Sequence, residues 1–461
     1  MTLLPEIYLF LFSTFFLLLS VGKRKFSVFT AARVLALVGF AVTLACAGAR
    51  GELFSSAYRV DFFSQIFKVL LSTGFTLVVF MFERDDEVEN LPEYFMFLGF
   101  STLGLMILVS SVELISILIA LEISSFSLYA IVPLRKAQTR MQLEASMKYL
   151  FFGAISTGIM LYGMGYLYGV AHSTYLADIF ASWTHLLSKP LGVMAIILTL
   201  TAFFFKLSLF PLHFWAPDIY EGASDATTTF IATVPKIAAT ALLIRIAMLS
   251  SFAPMQLATV IIILAAFSMT IGNLVGLVQK DVKRLLAYSG IAHAGYLMMG
   301  LLSFNDEGNA AVIYYITVYL FMNLGLFYVV MLLARRGENV TINDLSGLAR
   351  RSPLLALTLA VAAFSLAGIP PTGGFTGKFF LFVNAFKAGY LTIVIIAAVN
   401  TVISIFYYLN LVRIGYSRES TDLQPLSLAF HEKVLCYLFN VIIIVLGLFP
   451  FGILNIFRHA M

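Results

Sequence analysis

The sequence predicts an all-α polytopic membrane protein with about fourteen transmembrane helices. Of its 461 residues, 61% are hydrophobic and only 11% are charged, which is too little charge to cover a soluble domain of this length. Apolar runs of about 20 residues, the length that crosses ~30 Å of hydrocarbon, recur along the whole chain. Spanning β-strands would instead alternate apolar and polar residues over about ten positions, and the sequence lacks this alternation.

The apolar runs follow one another with only short loops between them. Residues 1–22 are predicted as the first span and not as a signal peptide, because their basic residues come after the apolar stretch. The fourteen runs lie at 4–21, 29–49, 60–82, 92–111, 113–133, 145–170, 190–212, 224–250, 255–278, 284–303, 309–334, 352–386, 388–412 and 433–457.

The basic residues predict how these spans are oriented. Five of the 29 lysines and arginines lie inside the runs, five flank the loops after even-numbered runs, and the remaining nineteen follow odd-numbered runs. Because cytoplasmic loops carry an excess of Lys and Arg, we expect the odd-numbered loops in the cytoplasm and both termini outside. The acidic segment 83–93, on the cytoplasmic side in this orientation, could dock a partner.

Ionisable side chains inside the apolar runs predict a transport function. They are Lys68, Lys206, Lys236, Arg245, Lys378 and, near the middle of its run, Glu122. A charge at this depth costs ~2.5–3.5 kcal/mol even on a permissive scale, so such residues usually face a cavity or a partner and serve a function. Lys68 and Arg245 fit packing or snorkelling roles better.

Lys206 precedes an expected helix interruption. It lies five residues before Pro211, with His213 beyond, in apolar surroundings. Proline removes a backbone donor and breaks a helix, and irregular backbone is tolerated at this depth only inside protein or beside water. The alternative is a lysine that snorkels to the interface, but the run that begins at Pro190 places Lys206 deep.

A second interruption lies directly before Lys378. Its helix-breaking residues are Pro370, Pro371, Gly373, Gly374 and Gly377. The pattern predicts a broken helix with Lys378 at its centre. The alternative is a loop between two short spans with the lysine at its surface.

Glu122 and Lys206 form a candidate coupled pair. Ser124 and Ser125 follow Glu122 and could solvate it. Desolvation disfavours the charged form of a carboxyl group and of an amine alike. A buried pair of this kind can therefore exchange a proton. Movement of either partner changes the proton affinity of the other. This predicts a gated proton step. Lys236, which follows Pro235, is a further carrier.

Several assignments have open alternatives. Lys236 could instead pair structurally with an acid, either Asp225 or Asp218. Glu144 and Lys148 lie four residues apart on one helix face and form either a solvated pair or a relay element. His293 lies in the middle of an apolar run and is either a hydrogen-bonded core residue or a proton shuttle.

A weak internal repeat accompanies the two interruptions. Segment 148–161 aligns with 284–297, and segment 205–211 aligns with 364–370. In both halves a helix with a basic start comes first and a proline-interrupted one follows. Internal repeats with discontinuous helices are typical of transporters, whose ion sites lie at the breaks.

Redox and metal sites are not expected in this chain. Cys46 and Cys436 cannot supply the four thiolates of an iron–sulfur cluster. Gly163, Gly165 and Gly169 lie inside an apolar run, so we expect the pair Gly165 and Gly169 to permit close helix packing and not to bind a dinucleotide.

Taken in order, these motifs resemble the antiporter-like membrane subunits of bacterial respiratory complex I, an NADH–quinone oxidoreductase, and most closely its subunit N group. The resemblance covers nearly the whole chain, through Leu4-Pro5-Glu6, Glu122, LEASMKY at 143–149, FKLSLFPLH at 205–213, Lys236, KRLLAYSGIAH at 283–293 and GIPPTGGFTGKF at 368–379. It implies two inverted five-helix repeats, each with a discontinuous helix. It divides the chain into an N-terminal segment 1–91, repeats 92–250 and 251–413, and a C-terminal helix 414–461.

The resemblance also implies roles for the buried residues. Glu122 and Lys206 would form the coupled pair, Lys236 and His293 the central relay, and Lys378 the exit-side proton carrier. Glu144, Lys148 and His213 would be possible relay members. Sister subunit M usually has a glutamate at the position of Lys378, which favours subunit N.

The implied function is that of a proton-translocating subunit in the bacterial inner membrane, with no catalytic redox chemistry, cofactor or metal of its own and both termini periplasmic. NADH, FMN, iron–sulfur clusters and quinone would be used by other subunits. Subunits M, J and K would be neighbours, and no nucleic acid would be bound. The alternatives are a subunit of a multisubunit Na⁺/H⁺ antiporter or of a membrane-bound hydrogenase-type complex, and a scaffold that no longer conducts.

Overall fold

A computed structural model of the chain describes residues 1–22, 27–82, 88–136, 140–182, 186, 190–249, 255–334, 338–417 and 425–461. The orientation was predicted from the charged residues, and several of these lie outside the described residues, among them residues 23–25, 83–87, 335–336 and 418. The helices are α1 (Leu4–Val21), α2 (Val28–Ala45), α3 (Phe62–Met81), α4 (Leu91–Ser110), α5 (Leu114–Ile131), α6 (Arg140–Ala171), α7 (Leu176–Ala181), α8 (Pro190–Leu207), α9 (Trp215–Gly222), α10 (Asp225–Leu249), α11 (Met255–Gly276), α12 (Val282–Leu301), α13 (Asp306–Leu333), α14 (Leu348–Arg351), α15 (Pro353–Ala367), α16 (Gly373–Lys387), α17 (Leu391–Gly415), α18 (Phe430–Leu448) and α19 (Pro450–Arg458).

Twelve helices in the described part of the chain are long and apolar enough to cross a membrane. They are α1 to α6, α8, α10, α11, α13, α17 and α18. Two more spans were predicted. One corresponds to α12, which is 20 residues long, and the other to α15 and α16 together, which are 15 residues each. The polytopic helical fold is confirmed, whereas the count of fourteen and the inverted repeats stay predictions.

Short non-α elements join the helices. A hairpin of β1 (Gly51–Leu53) and β2 (Tyr58–Val60) connects α2 to α3. Single 3₁₀ turns cover Val132–Leu134 and Ile342–Leu345. The hairpin was not predicted from the sequence, because its strands are only three residues long and show no clear alternation of apolar and polar residues.

Acidic side chains fix where some helices begin. Asp61 accepts a 2.8 Å hydrogen bond from the Ser64 amide at the start of α3, and Asp281 accepts one from the Arg284 amide at the start of α12. The first four amides of a helix have no partner within the helix, and a capping side chain supplies one. These acids therefore mark the ends of spans and lie apart from the proton-carrying candidates.

The described residues form two compact units. The first consists of Met1–Leu207, Gly222–Leu257 and Ala460, and the second of Ser208–Glu221, Ala258–His459 and Met461. In the first unit, α4 packs against α1 and α5, α6 against α8, and α10 against α3. In the second, α13 packs against α12, α15 and α16. The segment boundaries drawn from the resemblance stay predictions.

Helix α6 packs closely on α8 at Gly163, and not at the predicted pair Gly165 and Gly169. A Cβ atom added at Gly165 or Gly169 would meet no atom within 4 Å, but one at Gly163 would lie 2.8 Å from the Ala195 carbonyl oxygen on α8. Residues two apart on a helix point in different directions. The prediction for Gly165 and Gly169 was therefore wrong, and Gly163 permits the close approach to α8.

Candidate functional site

The first interruption separates α8 from α9. Residues 208–214 are not helical, and Pro211 lies in their middle, with a cis peptide bond to Phe210. His213 is 4% exposed, and its ring lies against that of Phe214, with the ring centroids 4.3 Å apart and the planes tilted by 31°. The backbone is thus irregular at the position where Pro211 removes a donor.

Lys206 lies in the last turn of α8, in the first unit. Its side chain is buried, with the residue 3% exposed, and its Nζ atom has no hydrogen-bond partner among the described residues. Glu122, on α5 of the same unit, is the acid whose charge acts on this amine. Because an unpaired buried charge is costly, Lys206 lies in surroundings that disfavour its charged form.

Glu122 is half-buried and accepts a hydrogen bond from α6. The Thr157 hydroxyl donates to Glu122 Oε1 at 2.7 Å. Tyr129 of α5 meets Tyr149 of α6 edge to face at 4.9 Å, and Tyr149 stacks on Phe205 of α8 at 6.1 Å. Helices α5, α6 and α8 are therefore linked by one hydrogen bond at Glu122 and by an aromatic series that ends at Phe205, the chain neighbour of Lys206.

Lys236 lies in the middle of α10, directly after Pro235, and is 1% exposed. Several threonines share this helix, and their hydroxyls donate to carbonyl oxygens one turn earlier. Thr240 donates to the Lys236 carbonyl oxygen at 2.8 Å, and Thr233 donates to the Thr229 carbonyl oxygen at 2.7 Å. Lys236 thus lies on a largely buried helix that carries hydroxyl groups before and after it in sequence.

The second interruption separates α15 from α16. Residues 368–372 lie between the two helices and include Pro370 and Pro371, which are joined by a cis peptide bond. Gly368 ends α15 with φ +86°, a left-handed conformation that glycine adopts without steric cost.

The glycines that follow lie in the first turns of α16 and touch their surroundings closely. A Cβ atom at Gly374 would lie 1.8 Å from the Ser365 carbonyl oxygen, and one at Gly377 would lie 2.7 Å from the Tyr315 ring. A Cβ atom at Gly373 would lie 3.1 Å from the side chains of Leu446 and Val318. These glycines therefore let α16 pack directly on α13 and on the end of α15.

Lys378 bonds to the broken end of α15. The residue is 4% exposed, and its Nζ atom donates to the carbonyl oxygens of Leu366 at 2.9 Å and Ala367 at 3.2 Å. It also lies 4.8 Å from the centre of the Tyr296 ring. The last carbonyls of a helix lack partners within the helix and carry the negative end of its dipole. This helix end therefore stabilises the ammonium form of Lys378.

His293 joins two tyrosines in the second unit. It is 2% exposed on α12, and its Nδ1 atom bonds to the Tyr315 hydroxyl of α13. Its Nε2 atom lies 3.2 Å from the Tyr408 hydroxyl of α17, which also bonds to Ser289. A neutral imidazole donates at one nitrogen and accepts at the other, so the ring completes a buried hydrogen-bonded chain.

Glu144 and Lys148 form an ion pair on an outward face of α6. Their side chains are 58% and 36% exposed, and Lys148 Nζ lies 2.7 Å from Glu144 Oε1. Both groups therefore lie at the surface of the chain.

Two ion pairs in the first unit were not predicted from the sequence. Lys68 is fully buried, with its Nζ atom 2.7 Å from Glu6 Oε1. Arg245 donates two hydrogen bonds to Asp61, at 2.8 and 3.0 Å, across 184 residues of sequence. Lys68 therefore has a buried partner, whereas Arg245 reaches the partly exposed acid that caps the start of α3. Such partners cannot be found by spacing alone, since only the tertiary fold brings them together.

A further ion-pair cluster anchors α9 to α12 in the second unit. Arg284 Nη1 lies 3.0 Å from Asp218 Oδ1 and 2.6 Å from Glu221 Oε2. Asp218, one of the acids considered for Lys236, is thus a partner of Arg284. Among the described residues, no three His, Cys, Asp or Glu side chains are grouped to hold a metal ion.

Comparison with known proteins identifies the family. The family model described as NADH:quinone oxidoreductase/Mrp antiporter, TM, matches residues 111–404. NADH-quinone oxidoreductase subunit N 2 of Solidesulfovibrio magneticus is 45% identical over 421 residues, which cover 91% of this chain and 90% of the relative. The protein of the same name from Opitutus terrae is 43% identical over 459 residues, covering 97% and 95%.

Solved structures share the fold. A chain of respiratory complex I from Thermus thermophilus, with bound aureothin, is 31% identical with a TM-score of 0.85 and coverage of 98% of both chains. A chain of the Mrp complex from Dietzia sp. has a TM-score of 0.85 at 20% identity, covering 100% of this chain and 97% of that one; at this identity it shows the fold alone. The chain therefore belongs to the family of NADH:quinone oxidoreductase and Mrp antiporter membrane subunits, within the subunit N group of NADH-quinone oxidoreductase.

Proposed function

We propose that the chain is a proton-translocating membrane-arm subunit of an NADH:quinone oxidoreductase. It would couple electron transfer to quinone, carried out by other subunits, to proton transport across the membrane. Its relatives named subunit N support the complex. The observation that carries the transport role is Lys206, a buried amine whose charge partner Glu122 lies on a separate helix.

The pair Glu122 and Lys206 can hold a proton in two places. Transfer of a proton from the Lys206 ammonium to the Glu122 carboxylate leaves two neutral groups, and the reverse transfer restores the ion pair. Burial disfavours both charges while their mutual attraction favours them. A small change in the separation of α5 and α8 therefore shifts the balance and gates the proton.

The remaining buried groups form the rest of the pathway. Lys236 and His293 are the central relay, and Lys378 is the exit-side carrier. His293 is suited to this role because it connects the hydroxyls of Tyr315 and Tyr408. Glu144, Lys148 and His213 are secondary relay members.

The surroundings of the subunit follow from the same proposal. NADH, FMN, the iron–sulfur clusters and quinone are bound by other subunits, and this chain carries no cofactor. Subunits M, J and K of the membrane arm are its neighbours. The chain lies in the bacterial inner membrane with both termini on the periplasmic face.

A sodium/proton antiporter subunit is the second candidate, because the same family model covers Mrp antiporters. The subunits that co-purify with the chain in mild detergent distinguish the two. Flavin and iron–sulfur proteins would support the oxidoreductase, and their complete replacement by other antiporter subunits would refute it.

The direct test is Lys206→Ala in the assembled complex. We expect the complex to form and NADH-driven proton uptake into vesicles to fall several-fold, because Glu122 loses its proton partner. Lys387→Ala is the control, since that lysine is 64% exposed at the end of α16. Normal pumping by fully assembled Lys206→Ala enzyme would end the assignment.

A further inference from the structure

A cavity in the second unit lies beside the C-terminal end of α17. Its volume is about 710 Å³, and side chains from α12, α15 and α17 line it together with Leu277 and Gln279, which follow α11. We propose that this cavity binds a phospholipid with an anionic headgroup. None of the residues assigned to the proton pathway lines it.

An apolar stripe leads to the cavity along one face of α17. The stripe consists of Ile395, Val399, Val402, Phe406 and Leu409, each at least 41% exposed. Steps of three and four residues keep side chains on the same helix face. Phe406 and Leu409 also line the cavity, so the stripe continues into it and offers a surface on which an acyl chain can lie.

A single cation ends this stripe. Arg413, four residues after Leu409, lines the cavity and is exposed. Its Nη2 atom donates to Asn410 Oδ1 at 2.9 Å, and within the described part of the chain it forms no ion pair. Guanidinium presents five donors in a planar fork that matches a phosphate.

The charges around the cavity favour an anionic headgroup over a zwitterionic one. Of the described residues that line it, Arg413 is the only charged one, and none is acidic. A phosphate can therefore pair with the guanidinium, whereas the ammonium of phosphatidylethanolamine meets no carboxylate among the described lining residues. Basic pockets between transmembrane helices bind anionic headgroups for this reason.

The test compares lipids and variants in the assembled complex. Purified complex is equilibrated with mixed micelles of phosphatidylglycerol and phosphatidylethanolamine, and the retained lipid is counted by native mass spectrometry. We expect wild type to retain phosphatidylglycerol in preference. Arg413→Gln should lower this retention several-fold and Arg413→Lys less so, while Arg350→Gln, a substitution of an exposed arginine outside the cavity, should leave it unchanged.

A second variant tests the cavity without touching the charge. Leu277→Trp places a larger side chain at the cavity wall and should also reduce retention of phosphatidylglycerol. Equal retention of the two lipids by wild type would overturn the proposal whatever the variants do. Unchanged retention in both Arg413→Gln and Leu277→Trp, or a side chain of a neighbouring subunit seated in the cavity of the whole complex, would overturn it as well.

Discussion

Lys206 and Lys378 are buried to a similar degree, with 3% and 4% exposed, but different groups stabilise their charged forms. Lys378 donates directly to two carbonyl oxygens at the end of α15. Lys206 has no hydrogen-bond partner among the described residues, and its charge is balanced from a distance by Glu122. Of these two lysines, only Lys378 therefore has hydrogen-bond acceptors for its ammonium group among the described residues.

Thr157 is expected to position the Glu122 carboxyl group for proton transfer. Thr157→Val removes the 2.7 Å hydrogen bond to Glu122 while keeping the side-chain shape. Without this hydrogen bond the carboxyl group is held less well for proton transfer, so proton pumping should fall several-fold and its pH profile should change. Pumping would be measured in vesicles as a function of pH.

Two controls separate this role from a structural one. Thr157→Ser keeps the hydroxyl and should restore the wild-type profile. Thr201→Val removes a hydroxyl that bonds only within its own helix, to Ile197, and should leave the profile unchanged. Identical profiles for Thr157→Val and wild type would exclude a positioning role.

Sequence alone identified the lysines because a charge is conspicuous in an apolar run. It did not identify Thr157, Tyr315 or Tyr408. Hydroxyl side chains are frequent in membrane helices and mostly bond to their own helix, as Thr201 does. Only the packing of α5 on α6 brings Thr157 to Glu122 across 35 residues.

At the level of elements, the two interruptions lie where proline and glycine predicted irregular backbone. Residues 208–214 and 368–372 separate helices in the structure. What sequence could not supply is the direction of the following helix. That direction at α16 depends on Gly374, where any side chain would collide with the Ser365 carbonyl oxygen.

The link between α3 and α10 is expected to weaken in acid. Burial raises the pKa of Asp61, but the hydrogen bonds and charge of Arg245 outweigh it, so the pKa lies below its ordinary value. A carboxyl group of this kind stabilises the fold above its unfolded pKa of about 4, and the contribution is lost as pH falls through the folded value.

Thermal unfolding of the purified protein in detergent measures this effect. Asp61→Asn should lower the unfolding midpoint at pH 7. The difference in midpoint between this variant and wild type should become smaller below about pH 4. Glu52→Gln, at a half-exposed acid of the hairpin, should have little effect. A gap for Asp61→Asn that stays constant between pH 7 and pH 3 would contradict the account.

At the scale of the whole molecule, hydropathy was sufficient to predict a polytopic helical membrane protein. Twelve described helices meet the criteria of length and composition. Burial within the protein could not be read from hydropathy, because α10 and α13, each 94% buried, are no more apolar than α17, which is 33% buried. A membrane chain is apolar towards lipid and towards protein alike.

The orientation predicted from basic residues can be tested by labelling. In a background without Cys46 and Cys436, single cysteines would replace the exposed residues Arg50, Lys280 and Arg350. An impermeant thiol reagent added to intact cells should label position 50 only, and positions 280 and 350 should react after permeabilisation. The reverse pattern would invert the orientation.

The central claim is that buried lysines of this chain carry protons, and Lys378 tests it most directly. Lys378→Arg keeps the charge but is effectively always protonated, and Lys378→Met removes the charge at similar length. Lys387→Met, on the same helix but 64% exposed, is the control. Lys378→Glu should retain partial activity, because a buried carboxyl group can also take up and release a proton.

The measurement is proton uptake into vesicles per NADH oxidised, normalised to assembled complex. We expect normal assembly in all variants, wild-type uptake for Lys387→Met, and at least a several-fold loss for both Lys378→Arg and Lys378→Met. Wild-type uptake by both Lys378 variants would show that this lysine is structural and would contradict the account.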